Sequence, residues 1–122
     1  MKLTFFGNGS GFAKTHTGAY FTYKNDLILI DCSMLNVSKI LELGINNFEN
    51  IYLLITHMHD DHTSGIGIFI QHMFYVYKKK LNIAIPTELG CDVKVDLTIR
   101  GIPDDIYNLI DLNGVNFEWF VG

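Results

Sequence analysis

The sequence predicts an α/β fold, a mixed sheet covered by helices. Three observations carry that reading. Short apolar runs of strand length, residues 51–55 (Ile-Tyr-Leu-Leu-Ile) the clearest, are continuous rather than alternating, as in strands buried on both faces. A later segment places Ile66, Phe69, Ile70, Met73, Phe74 and Tyr77 at i, i+3, i+4, i+7, i+8 and i+11, one apolar stripe of a helix. After a β-rich opening the two patterns alternate, which is how a sheet with helices packed upon it is written.

The elements follow in order. Residues 2–6 are apolar and aromatic and run into Gly7-Asn8-Gly9-Ser10-Gly11, a strand followed by a glycine turn. Residues 19–23 and 27–30 flank the polar link Lys24-Asn25-Asp26 and read as paired strands. From Met34 the positions Met34, Val37 and Leu41, with Ile40 and Leu43 alongside, have helical spacing, and Gly44 is placed to stop the helix. Residues 51–55 form the next strand. The helix carrying Ile66 to Tyr77 ends in Lys78, Lys79 and Lys80, which read as a solvated helix end, where positive charge is favourable. Residues 82–85 form a strand closed by Pro86. Between residues 88 and 100 two periods conflict: Val93, Val95, Leu97 and Ile99 alternate as in a strand, whereas Leu89, Val93 and Leu97 fit a helix. Pro103 suits a first helical position, so residues 104–110 are expected to be helical, and residues 115–121 to form a last strand.

A length of 122 residues suits one domain, residues 1–122, able to bury about two-thirds of its unfolded surface. With 48% apolar and 18% charged residues the chain is no disordered segment, and the apolar excess invites a partner. A net charge of −4 gives no general attraction to nucleic acid or anionic membrane. Cys32 and Cys91 lack CxxC spacing, so neither a disulfide scaffold nor a thiolate zinc site is encoded. The first residues lack the apolar core of a signal peptide and no run reaches the ~18 apolar residues of a membrane span. A cytoplasmic protein without a membrane partner is expected.

Three of the five histidines fall within six residues, in Thr56-His57-Met58-His59-Asp60-Asp61-His62-Thr63-Ser64-Gly65. Packing them between a buried-type strand and an amphipathic helix would be costly unless they had partners. A loop leaving the strand 51–55 can aim His57 and His59 in one direction as two nitrogen ligands, with Asp61 and His62 addressing a neighbouring position. Imidazole with carboxylate is a mixture that suits Zn²⁺ and is also accepted by Mn²⁺ or Fe. A site beyond the carboxyl end of a strand is where open α/β sheets hold ligands. Of the other candidates, Asp60 reads as solvated, His16 as a surface-loop residue, His72 as structural and Cys32 as a small buried residue. The glycine loop reads as a turn, because neither a helix start nor a lysine follows it as in a phosphate loop.

The run His57-Met58-His59-Asp60-Asp61-His62 resembles the His-x-His-x-Asp-His signature of the metallo-β-lactamase-fold hydrolases. Two further segments, in the same order, resemble its ribonuclease Z and phosphodiesterase-like branch: the opening Phe5-Phe6-Gly7-Asn8-Gly9-Ser10-Gly11 and the strand end Leu29-Ile30-Asp31-Cys32-Ser33. The resemblance implies a two-metal site in which His57 and His59 hold the first ion and Asp61 and His62 the second. Asp61 would also orient or deprotonate the attacking water, and Asp31 would steady the site from behind the ligands. It further implies hydrolysis of a phosphodiester, in a small molecule or in RNA.

The same resemblance implies an αββα sandwich of two similar halves, of which this chain supplies the N-terminal one. In that family the second half gives a third His to the first metal, a bridging Asp and a last His to the second metal, and no histidine follows His72 here. The expectation is therefore a fragment that needs its C-terminal half, or a homodimer paired through the sheet face. The alternative is a non-catalytic metal-binding or interaction module that keeps only the first half of the fold.

Overall fold

The computed structural model describes residues 3–5, 18–32, 36–55 and 65–111. The glycine loop, His16, Met34, the run 56–64 with its histidines, and the strand expected over 115–121 lie outside them. The described elements are β1 (Thr4–Phe5), β2 (Ala19–Tyr23), β3 (Asp26–Ile30), α1 (Val37–Glu42), a short 3₁₀ turn (Ile45–Asn47), β4 (Asn50–Leu54), α2 (Ile66–Tyr77), β5 (Leu81–Ile85), α3 (Thr87–Ile99) and β6 (Tyr107–Asp111).

The six strands form one mixed sheet in the order β1-β2-β3-β4-β5-β6. The first three are antiparallel and β3 to β6 are parallel. The hairpin joining β2 to β3 pairs Tyr23 with Asp26 and turns through Lys24, which takes φ 55°. A positive φ in a two-residue turn matches the twist of the strands it joins. α1 stops as expected: Gly44 adopts φ +84°, a backbone conformation that costs an L-residue about 1–2 kcal/mol. The conflict over residues 88–100 resolves as helix α3.

The helix expected over residues 104–110 is not formed. Ile106 donates its N–H to the Pro103 carbonyl at 3.5 Å, closing a turn, and Tyr107–Asp111 pairs with β5 as a parallel strand. The fixed φ of Pro103 suits a turn as well as a helix start. A seven-residue helix is marginal by itself, whereas a strand gains a ladder of bonds to β5 and buries Ile106 and Tyr107.

Alternate residues of the parallel strands share a face, and the two faces differ. One face carries Leu27, Leu29, Ile51, Leu53, Leu81, Ile83, Ile85 and Tyr107, which pack with Val37 and Ile40 of α1, Phe69, Ile70 and Met73 of α2, and Val93 and Leu97 of α3. The other face is graded along the strands. Toward their amino ends it is polar: Asn50 donates to Asp26 at 3.1 Å and Asn108 to Asn82 at 3.0 Å. Toward their carboxyl ends it is apolar, with Ile30, Leu54, Ala84 and Ile110 in register. Ile28 and Ala84 on this face are fully buried yet stand outside the helix-covered core. A sheet with helices on one face and a second apolar face is one half of a layered sandwich.

Candidate functional site

The carboxyl ends of β3 and β4 lie side by side because the two strands are parallel and in register, Ile30 beside Leu54. One residue beyond β3, Asp31 donates its backbone N–H to the Leu54 carbonyl at 2.8 Å. The chain then turns sharply, with Asp31 at φ 61°. Asp and Asn are the residues that, after glycine, tolerate this left-handed conformation. Asp31 is only 4% exposed, so the turn holds a carboxylate at a buried strand end.

The next residue, Cys32, bonds to a second segment of the chain. Ile55 leaves β4 while still donating its N–H to Ala84 at 3.3 Å, and the chain is described again at Gly65, which donates its N–H to the Cys32 carbonyl at 3.0 Å. Residues 56–64, with His57, His59, Asp61 and His62, thus connect two points anchored beside Asp31 and Cys32. Gly65 precedes the first turn of α2, so the positive end of that helix dipole lies at the same edge.

Cys32 is fully buried, and its thiol is pushed up to about 12, first by burial and then by the Asp31 charge beside it. It stays protonated at neutral pH, as a buried structural thiol does. His72 stands on α2 with its ring 5.6 Å from that of Tyr77, a structural contact. Lys78 and Lys79 donate to the carbonyls of Tyr75 and Phe48, both at 3.0 Å. Lys79 lines a polar cavity of about 230 Å³ with Glu49, Asn50 and Asn82, at the opposite edge of the sheet from Asp31.

Two features of the carboxyl edge escaped the sequence. Asp111 ends β6 beside Ile85, and with Ile85, Pro86, Gly90 and Ile110 it lines a cavity of about 120 Å³. The expected helix over 104–110 concealed it: only as a strand does this segment bring Asp111 to the edge where Asp31 stands.

Among the described residues no group of three or more His, Cys, Asp or Glu could hold a metal ion. By sequence, residues 56–64 hold three imidazoles and the Asp61 carboxylate in the candidate donor positions, a mixture suited to zinc and similar ions. A buried carboxylate such as that of Asp31 is the type of group that orients a metal-ligating histidine through its second ring nitrogen. The residues present fit a metal centre.

No helix among the described residues is long and apolar enough to cross a membrane. The fold is that of the metallo-β-lactamase fold protein YhfI from Bacillus subtilis, with a TM-score of 0.67 at 18% identity over 89% of this chain and 44% of that one. Human tRNase Z, short form, superposes with a TM-score of 0.65, also at 18% identity, over 91% of this chain and 45% of that one. In sequence, a ribonuclease Z of Methanocaldococcus jannaschii is 31% identical over 90 residues, 70% of this chain and 28% of that protein. The Anti-Pycsar protein Apyc1 of Paenibacillus xerothermodurans is 31% identical over 91 residues, 73% of this chain and 36% of that protein. The chain spans about a third of the length of the curated relatives it matches. Fold and relatives together support membership of a hydrolase superfamily. The family model for Anti-Pycsar protein Apyc1 matches residues 1–100, and the chain belongs to that family.

Proposed function

We propose that this chain supplies the first half of a metal-dependent phosphodiesterase centre. His57 and His59 hold one ion and Asp61 and His62 a second. Zinc is the ion we assign, because its chemistry suits the donor set. When bound, it supplies Lewis acidity toward water and toward a phosphoryl oxygen, lowering the pKa of the water toward about 7. Asp61 orients the attacking water and takes its proton on a carboxylate oxygen. Asp31 fixes the ring orientation of a ligating histidine by accepting its remaining N–H. The observation that supports the reading is that the residues flanking 56–64 are held at the carboxyl edge of parallel strands, Leu54 accepting from the N–H of the buried Asp31 and Gly65 donating to the Cys32 carbonyl.

A phosphodiester is the substrate class, since ribonuclease Z relatives are by name enzymes that cut RNA. The Apyc1 relatives are named for the system they oppose, which leaves the size of the phosphodiester open. A cyclic mononucleotide and a short RNA bracket the range. Four ligands hold metal but leave the centre incomplete, so hydrolysis requires the remaining donors from further polypeptide or from a second copy. The test is metal content by mass spectrometry on protein purified in the absence of chelator, with turnover of bis(p-nitrophenyl) phosphate, a 3′,5′-cyclic nucleotide and RNA measured on the same sample. The 122-residue chain should carry zinc, manganese or iron, and His59→Ala should lose it. Equal metal in the wild type and in His59→Ala overturns the assignment. Stable metal binding with no turnover in the completed protein would instead favour the non-catalytic module.

A further inference from the structure

We draw no further inference here: the strongest candidate, the outer face of α2, where Ile68, Tyr75 and Val76 stand exposed along a helix that carries no Asp, Glu, Lys or Arg, is an apolar surface, and nothing in the structure shows what covers it.

Discussion

Asp31 combines two demands that usually fall on different residues. Its backbone takes φ 61° to turn the chain away from β3, and its side chain keeps a carboxylate at 4% exposure. Asp31→Asn preserves the backbone tolerance and removes the charge. The expected outcome is an unaltered fold with metal affinity about 10–100-fold weaker, read by titration with zinc. Its neighbour Cys32 offers a separate check. In the native protein only Cys91 should react readily with a thiol reagent at neutral pH, and both thiols after denaturation, because the Cys32 thiol is buried and pushed up to about 12. The same shift makes stability depend on pH. Below the ordinary thiol value of 9.0 the contribution is present in full, and it is lost as pH rises from there toward about 12, because the unfolded chain ionises first. Denaturant titrations of the wild type and Cys32→Ala should therefore show a steeper alkaline loss in the wild type.

At the level of elements, α3 shows why periodicity alone left residues 88–100 open. Val93 and Leu97 satisfy the core, and Val95 and Ile99 are apolar although exposed, so the odd positions imitate a strand. The contrast is measurable. Leu97→Ala should cost about 2–5 kcal/mol and Val95→Ala at most about 0.5 kcal/mol, both by chemical denaturation. β6 was illegible for a different reason: Pro103 fits a helix start and a turn equally, and the partner that decides between them, β5, is remote in sequence. By contrast α2 and the stop at Gly44 were plain, since an apolar stripe and a left-handed terminus are local properties. Gly44→Ala should lose about 1–2 kcal/mol, since φ +84° is strained for alanine and its Cβ would meet the Asn47 side chain.

For the whole molecule, the mixed sheet and its helix-covered face could be read from runs and stripes, because each reports burial directly. The candidate metal donors stand out in the sequence because three histidines in six residues are chemically conspicuous. What the sequence left hidden was the arrangement of the edge: that Cys32 and Gly65 are bonded, and that Asp111 ends a strand on the same side as Asp31. Those relations belong to the register of the sheet.

The strand order has a consequence for how the protein is made. Every neighbour in the sheet is also the neighbour in sequence, and paired residues are never more than about thirty apart. Each strand emerging from a ribosome therefore meets its partner already in place, and the sheet grows in one direction as the chain is synthesised. Among the described residues that growth ends at β6, the strand laid down last on β5.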